Sequence, residues 1–265
     1  MTAQVQNITA LHLAAVFLPP LLVMLLFHRW GMGWWELAQA LARMVLQLIL
    51  VGYFLVFIFT TGRWTVVAGV LGVMMAASSW IALRVVEVER RRLFPGAMAS
   101  VAAGGGSTLL LVVVGVLRLH PWYLPRYVIP LAGMIFAASM NTMSLAAERY
   151  RAELARAGDG EGEGEGLREL TARRTALAAA LIPRVNSLYA VGLVSLPGMM
   201  TGQILSGVSP LVAVRYQIMV MCMVFGASGL SAALFLTLAG PLLSTGAHGG
   251  VRPGEGARGA PPQTG

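Results

Sequence analysis

Charge is what this chain has least of. Only 11% of its 265 residues are ionised at neutral pH, Lys is absent, and seven stretches contain no Asp, Glu, Lys or Arg: 1–28, 44–62, 64–83, 93–117, 127–147, 185–214 and 216–251. At ~1.5 Å rise per residue, about 20 apolar residues cover the ~30 Å hydrocarbon layer of a bilayer, where an unpaired charge costs ~2.5 kcal/mol or more. Each stretch is therefore predicted to cross a membrane. A hydrophobic share of 57% and a mean hydropathy of +0.74 exclude an ordinary soluble domain.

Further absences narrow the chemistry. The single Cys222 lies in an apolar run, which excludes a disulfide framework and a Cys-rich metal site. Asp159 is the lone Asp, so no aspartyl dyad can form, and no HExxH zinc motif occurs. Gly104, Gly105, Gly106, Ser107 and Thr108 resemble a phosphate loop, but its Lys is missing, so this chain cannot hold ATP by that device. Gly226, Ala227, Ser228 and Gly229 spell the GxSG of intramembrane serine proteases, whose Ser needs a His base. His12, His28 and His120 stand at or near predicted membrane edges and His248 lies near the C-terminus, so close helix packing is the preferred reading of those glycines. No predicted span holds a carboxylate, the usual ligand of a coupling proton or sodium ion. The energy for any pumping must come from elsewhere.

What is present fixes topology. All 19 basic residues are Arg, and they sit between apolar segments rather than along one face, which argues for membrane anchoring and against nucleic acid. If seven segments cross once each, one side receives fifteen arginines and the other only Arg63, Arg118, Arg126 and Arg215. Arginine-rich loops stay inside, so the N-terminus is expected outside and the C-terminus inside. The first segment lacks a basic leader and a cleavage pattern and is read as a retained helix kinked by Pro19 and Pro20. Pro197, Gly198, Gly207 and Pro210 interrupt 185–214, leaving open a broken or re-entrant element there.

The expected architecture is all-α and polytopic, with a transmembrane domain over 1–244 and a disordered Gly/Pro-rich tail over 245–265. Within the domain, residues 148–184 are expected to form a charged cytoplasmic loop holding 14 of the 30 charged residues, with an alternation of Gly and acid at its centre. On its far side Leu167, Leu170, Leu177 and Leu181 fall near one face of a surface-lying helix. Fifteen methionines invite a soft-metal reading, although Met is equally an adaptable apolar filler. Gln47, Asn141 and Gln203 are amides within spans, so each should face protein or a water-filled path.

Five ordered blocks carry a family resemblance: 43–55 (RMVLQLILVGYFL), 128–135 (VIPLAGMI) followed by Met140, 179–183 (AALIP), 191–202 (VGLVSLPGMMTG), and Pro210 with 216–220 (YQIMV). The chain resembles the FetB-type permeases, membrane subunits of small ABC transporters linked to iron export and metal resistance, and plant aluminium-sensitivity proteins are similar. The resemblance implies a plasma-membrane permease, working as a homodimer with a separate cytosolic ATPase that binds the ATP, while this chain binds no cofactor of its own. The coupling surface for that ATPase is expected in the charged loop, at Glu148, Arg149, Arg151, Arg168, Arg173 and Arg174. The substrate path is expected at Met134, Met140, Asn141, Ser195, Met199, Met200 and Gln203, next to a helix break at Pro197 and Gly198 whose freed carbonyls could meet a cation. Tight helix packing is the competing role for each of these residues. An ATP-independent channel or carrier, and an intramembrane hydrolase using Ser228, are the rival readings. The chain also departs from the family pattern. Relatives carry a Leu-Gly-Ala-Thr-Pro-like segment where 160–166 stands here, and an Asp and a Lys where Asn186 and Tyr189 stand, so the metal is left unassigned.

Overall fold

The computed structural model describes residues 9–86, 90–157 and 165–248. The helices are α1 (Ala10–Ala15), α2 (Leu18–Arg29), α3 (Trp34–Thr61), α4 (Trp64–Ala82), α5 (Arg90–Ser100), α6 (Ser107–Leu110), α7 (Pro125–Ala157), α8 (Glu165–Ala190), α9 (Gly198–Leu205) and α10 (Pro210–His248). A wide π-helical turn lies on each side of α6, at Val101–Gly106 and Leu111–Val116, so α5 and α6 belong to one continuous rod. Among the described residues no strand forms; the one β-like contact is an isolated bridge between Val191 and Ser195. The all-α architecture follows from the solvent, because in lipid a helix satisfies its backbone groups within itself.

Among the described residues, six helical stretches are long and apolar enough to cross a bilayer: His12–Arg29, Trp34–Val56, Trp64–Val85, Arg90–Val116, Pro125–Arg156 and Pro210–Leu243. The interruption expected from Pro19 and Pro20 falls one turn before them. The chain breaks between α1 and α2, and the prolines occupy the first turn of α2, where a missing N–H leaves no bond unmade. α2 buries none of its residues, and α3 exposes Leu48, Leu50, Tyr53 and Phe54. Such apolar surface is what a helix presents to lipid.

The core gathers around α7, which packs on α4, α8 and α10. Ile135, Met143 and Tyr150 of α7 and Phe235 of α10 are fully buried there. Ser139 Oγ on α7 donates to the Ala227 carbonyl of α10 at 3.4 Å, and Ser231 Oγ donates to Ser139 Oγ at 3.1 Å. Nearer the other end of the same helices, Arg173 of α8 lies over Gly240 of α10 and beside Tyr150 of α7. α7 and α10 therefore run parallel. α4 runs with them, since Met74 lies against Gly133 and Ser144 Oγ donates to the Ala82 carbonyl at 2.8 Å. Contacts of Gly104 with Ser231 and of Gly96 with Ala239 show that the α5–α6 rod runs the opposite way. Arg84, Arg90 and the arginines of 149–184 consequently cluster at one end of the bundle, and Arg63, Arg118, Arg126 and Arg215 at the other.

Because α7 and α10 are parallel, the chain must travel back between them, and α8 with α9 is that return leg. It takes the place of a plain seventh span over 185–214. α8 stops at Ala190, a turn follows, the eight-residue α9 starts at Gly198, and Pro210 opens α10. Gly192 (φ +83°) and Gly207 (φ +90°) supply the two left-handed positions that turn the chain on either side of α9.

The charged segment 148–184 is not an open loop. α7 continues to Ala157 and α8 begins at Glu165, so it forms an antiparallel helical hairpin whose centre, 158–164, lies outside the described residues. At ~1.5 Å per residue the 33 residues of α7 cover roughly 50 Å, well beyond the hydrocarbon layer. The leucine stripe divides: Leu167 and Leu170 are exposed, Leu177 packs against the core and Leu181 lies beside Gly229, while α8 fully buries Ala172, Ala176 and Ala180. An i, i+4 row of methyl groups brings the helices closer than leucines allow. α10 extends to His248, past the tail boundary expected at residue 245; the rest of that tail lies outside the described residues.

Candidate functional site

Two regions hold the residues expected to line a path. The first is a cavity of about 650 Å³ between the end of α4 and the facing sides of α7 and α8, and it contains Met140 and Asn141. Its other polar walls are Arg84, Thr142, Ser144, Arg184 and Ser187. Proline at 183 withholds a backbone N–H, and Ser187 Oγ donates to its carbonyl at 2.8 Å, which holds that stretch of α8 in helical register. Burial pushes the Arg184 guanidinium down from the usual arginine range, yet arginine keeps its proton inside proteins.

The second region is the break in the return leg. Ser195 is exposed there, and its carbonyl accepts the Gly192 N–H at 3.0 Å. Pro197 precedes α9 in extended conformation and Gly198 is its first residue. Two of the carbonyls that flank this break are already engaged. The Pro197 oxygen accepts the Thr201 N–H at 3.0 Å and the Thr201 hydroxyl at 3.1 Å, while the Ala190 oxygen accepts N–H groups from Val194 and Ser195. Met199 packs against the core and Met200 is half-buried. On α9, the Gln203 side-chain oxygen is buried without a hydrogen-bond partner. Met134 sits apart from both regions' polar groups, half-buried on α7 against the core.

Among the described residues, no three His, Cys, Asp or Glu side chains come together in a metal-holding group. A cation passing this way would meet thioethers, amide oxygens and hydroxyls, not a cage of carboxylates. Ser228 is fully buried and donates to the Phe225 carbonyl at 3.0 Å, a bond within its own helix. His28 stacks edge-on against Trp34, and Thr9 Oγ1 bonds His12 at 2.8 Å. Among the described residues no hydrogen bond joins Ser228 to a His.

The six residues expected to engage an ATPase divide by environment. Arg149 pairs with Glu153 at 2.6 Å, and Arg173 pairs with Glu169 at 2.8 Å while packing over Gly240. Both pairs lie within a single helix, and Arg173 in addition ties α8 to α10 and α7. Arg151 and Arg168 are half-buried, whereas Glu148 and Arg174 stand exposed on the hairpin. The sequence reading missed Arg84, Thr142, Ser144, Arg184 and Ser187. The available signal was that Arg84 and Arg184 each abut a charge-free stretch, which places both at a membrane edge.

Comparison with known proteins places this architecture. A family model described as "Uncharacterised protein family (UPF0014)" matches residues 8–242, nearly the whole described chain. The chain belongs to the UPF0014 family. Among UPF0014 relatives, the membrane protein slr1647 of Synechocystis is 38% identical over 74% of this chain and 78% of its own length. The Arabidopsis thaliana protein ALUMINUM SENSITIVE 3 is 32% identical over 80% of this chain and 79% of its own. The Escherichia coli probable iron export permease protein FetB is 31% identical over 85% of this chain and 88% of its own. No solved structure matches. Membership of this family, with its six apolar helices, makes the chain a multi-pass membrane protein, and the bacterial relatives fit a plasma-membrane location.

Proposed function

We propose that this UPF0014 member is the membrane-spanning subunit of an ABC transporter, moving a metal ion or small solute outward by alternating access. The observation that carries the reading is a bundle with, among the described residues, no carboxylate buried in its core, from which a charged helical hairpin projects at the arginine-rich end. Arginine retention sets that end in the cytoplasm. A separate ATPase docks on the hairpin, and its ATP-driven closure is passed through Arg173 to α10, the helix against which α9 packs. Two permease copies and two ATPase copies form the working unit. The E. coli relative's printed name supports iron as one substrate to try.

The test is co-reconstitution of the chain with its ATPase in liposomes. Efflux of Fe²⁺ or another divalent cation should require the ATPase and hydrolysable ATP together. Equal efflux by the permease alone would replace this reading with that of a channel or carrier.

Gln203 provides a second check within the path. Its orphaned buried oxygen is costly in a resting helix bundle, where an unsatisfied acceptor costs ~1–3 kcal/mol. Gln203→Leu should therefore leave thermal stability unchanged or raised, while transport falls roughly tenfold through loss of a ligand oxygen, as one charge-assisted contact implies. Unchanged transport in this variant would remove Gln203 from the path.

A further inference from the structure

The cavity containing Met140 and Asn141 has a chemistry that a cation path does not require. Arg84 and Arg184 both line it, no acidic residue does, and among the described residues no carboxylate pairs with either arginine. Two positive charges converging on one concave site repel each other and are costly to hold there without a counter-charge. The remaining polar groups are arranged as donors or as fixed walls. Ser144 and Ser187 spend their hydroxyl protons on the Ala82 and Pro183 carbonyls, which locks α7 to α4 and shapes α8, while the exposed Asn141 amide and the Thr142 hydroxyl form no hydrogen bond within the described protein. Forked guanidinium donors with an amide and a hydroxyl between them suit a tetrahedral oxyanion.

Position identifies the kind of oxyanion. Arg84 is the last residue but one of a span ending at Val85, and Asn141 lies about 24 Å along α7 from Pro125 at ~1.5 Å per residue, close to the boundary of a ~30 Å layer. Exposed Ile81 and Leu145 line the cavity beside these polar groups, so apolar surface adjoins the arginines. Basic pockets between helices at this height hold phosphate headgroups.

We propose that the α4–α7–α8 cavity is a phosphate-ester site, filled by an anionic phospholipid headgroup whose phosphate bridges Arg84 and Arg184. Occupancy then ties α8, the first half of the return leg, to α4 and α7. The site stands independently of what the protein transports.

The full chain, purified into phosphatidylcholine nanodiscs with or without phosphatidylglycerol, tests it by native mass spectrometry of retained lipid and by thermal unfolding. Phosphatidylglycerol should be retained and should raise the midpoint. The double variant Arg84→Gln/Arg184→Gln should cut retention tenfold or more, while Arg118→Gln at the opposite end retains it, and Arg184→Lys, which keeps the charge and the packing of the stem, should lose only part. A parallel arm adds glycerol 3-phosphate or inorganic phosphate to detergent-solubilised protein. Stabilisation in that arm alone, abolished by the double variant, would assign the same site to a soluble phosphate ester. Equal lipid retention by the double variant and Arg118→Gln, with no response to either soluble phosphate, would overturn the proposal.

Discussion

Gly104→Val should abolish the well-folded state of this protein, and Gly104→Ala should weaken it measurably. A Cβ at position 104 would lie 2.6 Å from both the backbone nitrogen and the Oγ of Ser231, and 2.9 Å from its Cα. The obstacle is backbone, so no rotamer change can relieve it; the rod containing Gly104 must move away from α10. That movement would also disturb Ser231, whose hydroxyl bonds Ser139, and would break the polar link joining α10 and α7. Overpacking of a tight core costs on the order of 3 kcal/mol, which for a chain of this size lowers the midpoint by roughly 6–12 °C. The Ala variant should fall in that range, and the Val variant should lose the monodisperse peak in detergent gel filtration. Gly226 is the control. Nothing lies within 4 Å of its would-be Cβ, so Gly226→Ala should be neutral or slightly stabilising, as a helical Gly gives up about 1 kcal/mol against Ala. A Gly104→Ala midpoint equal to the Gly226→Ala midpoint would show that the helices do not meet at Gly104. The same pair separates the phosphate-loop look-alike, where a small residue is needed for packing, from the GxSG look-alike, where it is not.

The spans were legible because one physical term dominates them. Ionised side chains are excluded from hydrocarbon, so the charge-free stretches anticipate α2, α3, α4, the α5–α6 rod, α7 and α10, and the arginines between them sort to the two ends of the bundle. The hairpin was misread as a loop because charge density outweighed spacing in the reading. Its charges fall at i, i+4 in Arg149–Glu153 and Glu169–Arg173, a helical signature. The leucine stripe is only half of the α8 interface: Leu177 and Leu181 face protein, but the closest approach is made by Ala172, Ala176 and Ala180, because in lipid leucine gains little by facing protein while alanine allows close approach. Of the methionines, Met143 and Met223 are deeply buried filler, as their adaptable shape allows. The Arg84–Arg184 cavity was beyond reach because its walls come from three segments far apart in the chain, and no local pattern records their meeting.

Arg174 and Arg173 are neighbours in sequence, and their substitution should separate coupling from folding. Removing all of 158–174 would mix the two, because that stretch includes the buried Ala172 and the Arg173 that lies over Gly240. Arg173→Ala withdraws a packed guanidinium stem from the junction of α7, α8 and α10, and leaves Glu169 without its partner at 2.8 Å. It should cost about 2–3 kcal/mol of stability, the scale for breaking a partly buried charge pair. Arg174→Glu and Glu148→Arg change exposed positions on the same hairpin, where substitutions usually shift stability by within about 0.5 kcal/mol. If an ATPase reads this surface, reversing its charge costs several kcal/mol of association, so the double reversal should reduce ATP-driven efflux at least tenfold with an unchanged unfolding midpoint. Pull-down of the ATPase by each variant distinguishes weakened docking from a failed power stroke. Full efflux from Arg174→Glu/Glu148→Arg, at wild-type ATPase binding, would move the docking surface away from the α7–α8 hairpin and with it the route by which ATP hydrolysis reaches α10.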